Sequence, residues 1–125
     1  MLMAPDVKKR LRQGVEAFGS ANDATFWDLL HEHVVWTWYG PVAEGGSVTL
    51  QGRQAIRASM QQTPFRDDMR TVVEHMVAEG ASITVLGRVE ATEQSGRPYR
   101  CAYADLYRFE GELVAEVRSY ICELA

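Results

Sequence analysis

Tyr99-Arg100-Cys101-Ala102-Tyr103-Ala104-Asp105-Leu106-Tyr107-Arg108-Phe109 is the stretch whose reading decides the fold. Its aromatic and small residues recur at period two, which predicts a strand. Side chains of a strand alternate faces, so Cys101, Tyr103, Asp105, Tyr107 and Phe109 share one face. Ala102, Ala104 and Leu106 share the other. A carboxylate in an aromatic row is costly to desolvate unless it is paired, hydrogen-bonded or protonated. Asp105 is therefore either a functional group or half of an ion pair.

Working outward, Glu110-Gly111 predicts a turn into a further strand, Glu112 to about Glu123. Upstream, Met69–Glu79 and Ser82–Glu93 read as strands joined at Gly80, and Gln94-Ser95-Gly96-Arg97 turns the second into Pro98–Phe109. Tight turns between successive strands imply an antiparallel meander. The first half reads differently. Asp6 caps a helix from Val7 to about Phe18 whose apolar stripe is Val7, Leu11, Val15 and Phe18. Asp23 caps a short helix to about His31, with Phe26, Trp27, Leu29 and Leu30 inward. Val34–Tyr39 is a strand, and Pro41–Gln51 a loop with a short strand at Val48–Leu50. A third helix runs from Arg53 to Gln62, with Ala55, Ile56, Ser59 and Met60 on one side, and is stopped at Thr63-Pro64. Helices first and strands later give the α+β class. No internal repeat or boundary divides residues 1–125, so one domain is expected.

Composition narrows the function classes. The chain has 125 residues, 46% of them apolar, and a formal net charge of −4. That balance gives no positive field for nucleic acid or an anionic membrane. No apolar run approaches the ~20 residues that cross a bilayer. Met1-Leu2-Met3-Ala4-Pro5 is too short for a signal-peptide core, so a cytoplasmic location is expected. Two cysteines, Cys101 and Cys122, are too few for a disulfide framework. His31 and His33 lack an evident third ligand, so no metal is expected. No phosphate-binding loop or nucleotide fingerprint is present.

The ordered combination of Asp23–Trp38, Gly52-Arg53-Gln54-Ala55-Ile56, the run Tyr103–Gly111, and Glu116, Arg118 and Tyr120 on the last strand resembles the nuclear-transport-factor-2-like fold. Within it the chain is similar to the SnoaL-like (polyketide cyclase) and ketosteroid-isomerase-like families. The resemblance implies a curved antiparallel sheet, of the cystatin-like α+β roll kind, wrapped around a conical apolar pocket with three helices from the N-terminal half. It also implies a homodimer, no cofactor, and a small apolar ligand. Asp105 falls where ketosteroid isomerases carry an acid that donates to a developing oxyanion. Their general base falls at or beside Trp38, their tyrosine near Val15 or Glu16, and a further acid at Cys122. None of these positions holds the family's group, so a true ketosteroid isomerase is not expected.

The expectation is a cofactor-independent isomerase, cyclase or dehydratase acting on a small apolar, oxygen-bearing molecule. The alternative is a ligand-binding or dimerisation module that catalyses nothing. Asp105 would be the acid or base. Tyr103 and Tyr39 would be hydrogen-bond donors, and His75 a second base near neutral pH. Trp36, Trp38 and Tyr107 would form the apolar wall, with Phe109 and Tyr120 beside them in the ligand site. Arg118 is tied to the hairpin register. A two-residue Glu110-Gly111 loop puts Asp105 opposite Glu116 with Arg118 diagonal to it, where the two would form a salt bridge. A three-residue loop puts Ala115, Val117 and Ser119 on Asp105's face and turns Arg118 away. The opposite face, with Ala102, Ala104 and Leu106, is too apolar to leave fully wet and is expected to pack against a second copy.

Overall fold

A computed structural model of the chain describes residues 5–20, 22–40, 44–61 and 65–124. The helices are α1 (Pro5–Ala17), α2 (Ala24–Trp27) and α3 (Arg53–Met60). The strands are β1 (Leu30–Tyr39), β2 (Ser47–Gln51), β3 (Arg70–Glu79), β4 (Ser82–Thr92), β5 (Pro98–Glu110) and β6 (Leu113–Glu123). They form one curved, unclosed sheet in the order β2-β1-β6-β5-β4-β3. The meander β3 to β6 is antiparallel throughout, as its short turns require. β1, however, joins β6 in parallel, so the sheet is mixed and not purely antiparallel. A long crossover through α3 and the meander separates β1 from β6, and such a connection permits a parallel pair.

α1 forms where Val7, Leu11 and Val15 recur at helical spacing, and all three are buried. α2 is only one turn long and stops well before His31. Its Trp27 indole N–H donates to Asp23 Oδ2 (3.0 Å), and the chain then extends, with Val114 N–H donating to the Leu29 carbonyl (2.8 Å). Pairing with β6 thus overrides the helix expected through His31, which lies inside β1. The short strand expected at Val48–Leu50 is present as β2. The Thr63-Pro64 helix stop and the Pro41 end of the loop lie outside the described residues. The core lies between the helices and one face of the sheet, joining Leu11, Phe26, Leu30 and Ile56 to Trp36, Ile83, Val85, Tyr107 and Val117.

The β5–β6 hairpin resolves the two registers. Gly111-Glu112 forms the turn, Glu110 pairs with Leu113, and Ala115 is an extra residue that shifts the register between Arg108 and Phe109. Gly111 takes φ 63°, which suits glycine in such a turn. Asp105 consequently faces Ser119, with Val117 also inward, while Arg118 points outward. The face composition is that of the three-residue alternative, reached by a tight turn plus a bulge.

Candidate functional site

Between the concave face of the sheet and the helices lies a cavity of about 120 Å³. Its helical wall is Val15, Phe18, Phe26 and Met60, and its sheet wall includes Trp36, Trp38, Thr71, Tyr103, Asp105, Tyr107 and Ser119. The sheet residues share a face because they occupy alternating positions on β1, β3, β5 and β6. Trp36 and Trp38 stack with ring centroids 4.7 Å apart and planes 11° from parallel. Val15, Phe26, Trp36, Tyr103, Asp105, Tyr107 and Ser119 are buried, whereas Phe18, Trp38, Met60 and Thr71 are half-buried. The buried group is the deep end, and the half-buried group lies nearer solvent.

Asp105 stands at the deep end. Tyr107 donates its phenol proton to Asp105 Oδ2 (3.2 Å). Oδ1 is buried, and among the described residues none makes a direct hydrogen bond to it in this side-chain arrangement. Ser119, directly opposite on β6, accepts the Trp36 indole N–H (2.9 Å), which leaves its own hydroxyl proton free to turn toward the carboxyl. Burial pushes the Asp105 carboxyl up from 3.8 to about 7, against the opposing pull of the Ser119 and Tyr107 hydroxyls. Among the described residues no arginine relieves that burial. Arg118 instead pairs with Glu116 (3.2 Å) on the convex face. The carboxyl is therefore poised to give or take a proton near neutral pH.

The other expected site residues divide sharply. Trp36, Trp38, Tyr103 and Tyr107 line the cavity with Asp105. Tyr103 serves as wall rather than free donor, because its phenol donates to the Val72 carbonyl of β3 (3.2 Å). That reach crosses β4 at Gly87, where a Cβ would lie 2.6 Å from the phenol oxygen. Burial raises the Tyr103, Tyr107 and Cys101 pKa values, so none is a ready base. His75 is exposed on β3 and does not reach the cavity, because the register shift between Val73 and His75 turns it outward beside Leu86. Phe109 is buried in the core beside Val114 and not in the cavity wall. Tyr39 and Tyr120 stack on each other (4.8 Å, 9°) across the convex side of β1 and β6, away from the cavity. Arg118 is exposed on that side too.

Sequence reasoning placed Val15, Phe18, Phe26 and Met60 on inward helix faces, but periodicity alone does not separate core from cavity wall. Thr71 was missed, and its signal is its place two residues before the buried Val73 on one strand face. Ser119 was visible only through one of two registers. Among the described residues no cluster of three or more metal-ligating side chains occurs. Among them no helix is long and apolar enough to cross a membrane.

Comparison with known proteins finds the same fold. An NTF2-like protein of unknown function from Burkholderia pseudomallei K96243 superposes with a TM-score of 0.81 at 23% identity, covering 95% of this chain and 92% of that one. A candidate SnoaL-like polyketide cyclase from Jannaschia sp. CCS1 gives 0.73 at 17% identity, covering 97% and 90%. A candidate ketosteroid isomerase from Kribbella flavida DSM 17836 gives 0.67 at 19% identity, covering 96% and 78%. At these identities the likeness is one of fold. No curated protein matches the chain. The model of the SnoaL-like domain matches residues 11–117. The chain belongs to the SnoaL-like domain family.

Proposed function

We propose that the protein binds a small, largely apolar, oxygen-bearing molecule in this cavity and moves a proton on it through Asp105, without a cofactor. The observation that carries this reading is a buried carboxyl among aromatic rings, with Oδ1 unpartnered and a pKa near 7. Protonated, Asp105 donates from Oδ1 to a ligand carbonyl oxygen; ionised, it accepts a proton from an acidic C–H or O–H. Isomerisation, cyclisation and dehydration all need such a step. Two neighbours of the same fold are candidate polyketide cyclase and ketosteroid isomerase, which favours this class.

A binding-only reading is favoured by a different observation. Among the described residues lining the cavity, Asp105 is the sole group poised near neutral pH. Exchange of α-protons of small cyclic ketones, followed by NMR in D2O, separates the two. Exchange catalysed by the wild type and lost in Asp105→Asn supports proton transfer. Ketone binding that depends on Asp105, with no exchange above the buffer rate, supports the binding module.

We also infer that the convex face is a homodimer surface. Leu86, Ala104, Tyr120 and Tyr39 pair in one row across four strands, beside the half-buried Ala102 and Leu106. Leu86 and Tyr120 are 38% and 47% exposed. Such a row gains by being covered. Leu106→Glu is expected to give a monomer by sedimentation while leaving ligand binding intact. A cytoplasmic location fits the two unpaired cysteines.

A further inference from the structure

We propose that Thr71 is the second polar anchor of the cavity, so that its ligand is a flat, single-ring molecule with a hydrogen-bonding group at each end. The proposal rests on reading the cavity as a ligand site. Among the described residues, three side-chain nitrogen or oxygen atoms are buried without a partner: Arg10 Nε, Thr71 Oγ1 and Asp105 Oδ1. The two oxygens both belong to residues that line this cavity. Buried polar groups are normally bonded, so each orphan needs an explanation. The rest of the wall offers little competition. The Trp36 N–H is spent on Ser119, the Tyr103 hydroxyl on Val72, and the Tyr107 hydroxyl on Asp105.

The strand register separates the two orphans. Thr71 pairs with Val89 and Val89 with Cys101, so Thr71 stands at the level of Cys101, four residues along β5 from Asp105. Tyr103 occupies the β5 position between those levels on the same face, and Val89 and Cys101 complete an apolar stretch of wall. A cavity of about 120 Å³ is close to the roughly 150 Å³ that takes a benzene ring in an apolar protein interior. One ring therefore fills the space, and substituents at its two ends meet the two oxygens. Asp105 Oδ1 accepts or donates according to its protonation, and a threonine hydroxyl does either.

Two pairs of probes of matched shape test this: hydroquinone against 4-methylphenol, and 4-(hydroxymethyl)phenol against 4-ethylphenol. Each pair differs by one terminal hydroxyl, and the two lengths allow for different spans. Affinities are measured by NMR titration for wild type, Thr71→Val and Asp105→Asn. The expected result is that at least one hydroxyl probe gains about tenfold over its methyl partner in wild type relative to Thr71→Val. Asp105→Asn is expected to weaken all four. Without any probe, Thr71→Val is expected to raise the melting temperature, because the valine removes an unsatisfied hydroxyl without changing shape. Hydroxyl-to-methyl ratios equal in wild type and Thr71→Val, with Asp105→Asn still weakening binding, would overturn the Thr71 anchor and leave the cavity reading standing. A lower melting temperature for Thr71→Val together with equal ratios would overturn it too, since the hydroxyl would then be satisfied within the protein. No probe binding to wild type, or binding indifferent to Asp105→Asn, removes both the ligand site and this inference.

Discussion

Asp105 and Glu116 are carboxylates on two adjacent strands of one hairpin, and the sheet treats them in opposite ways. Asp105 faces the concave side, where burial raises its pKa to about 7 and no cation among the described residues answers it. Glu116 faces the convex side, where partial burial pushes its pKa up but Arg118 (3.2 Å) and Arg108 (3.3 Å) together hold it below the ordinary value. Arg88 lies on that convex side too, between Glu74 and Glu90. One face thus carries a self-neutralising charge lattice, and the other holds one acid among aromatic rings. The difference is a single step in the period of a strand. It shows that the carboxyl of Asp105 is perturbed by its side of the sheet, not by any defect of pairing in the chain as a whole.

The largest expected effect is on the pH dependence of stability. The folded-state pKa of Asp105 lies above its ordinary 3.8, so the folded chain holds this proton more tightly than the unfolded chain does. Stability from this group is present below about pH 4 and is lost as pH rises to about 7. The raised pKa corresponds to about 4 kcal/mol across that window. Asp105→Asn has no proton to lose. Its stability relative to wild type should therefore climb by several kcal/mol between pH 4 and pH 8 in urea titrations. A flat difference would mean that Asp105 is solvated or paired after all, and the contrast between the faces would collapse.

Gly87 gives the next largest effect, also on the concave side. A Cβ there would collide with the Val72 carbonyl oxygen, which is backbone, and lie 2.6 Å from the Tyr103 phenol oxygen. Gly87→Ala is expected to cost roughly 3 kcal/mol, because the strand and the tyrosine must both move. The same substitution at exposed Gly80 has open space around it and meets only the φ of 57°. It should cost about 1 kcal/mol. Equal losses at the two glycines would show that the Tyr103 crossing is not what demands Gly87.

The two carboxylates also show how far the chain could be read. Alternation along Tyr99–Phe109 sufficed to assign faces, and the turn residues sufficed to assign the meander, because both depend on local backbone chemistry. The parallel β1–β6 pair, the shortened α2 and the bulge at Ala115 depend on which distant strand supplies hydrogen bonds, and local patterns do not carry that. The site was legible where a residue was anomalous on its own strand, as Asp105 is. It was illegible where register decided, as for Ser119, or where a side chain was ordinary, as for Thr71. His75, Tyr39 and Tyr120 were drawn toward the pocket by residue type alone, and a register shift and the strand period place them outside it.

Glu116 supplies the smallest effect and the sharper control. Its folded-state pKa lies below the ordinary 4.5, so its contribution is present above that value and fades as pH falls through the folded-state pKa. Both arginines are about half exposed, so solvent screens both pairs and each contributes little. Glu116→Gln is therefore expected to lower stability by at most about 1 kcal/mol at pH 7, with much of the loss screened by 1 M salt. The sign is the informative part. Relative to wild type, Glu116→Gln should lose ground as pH rises toward 5 and then level off, whereas Asp105→Asn should gain ground until about pH 7. Curves of the same sign would mean that both carboxylates sense one shared field. Opposite signs with separate windows would show that each carboxylate answers to the groups on its own face of the sheet, which is what the role proposed for Asp105 requires.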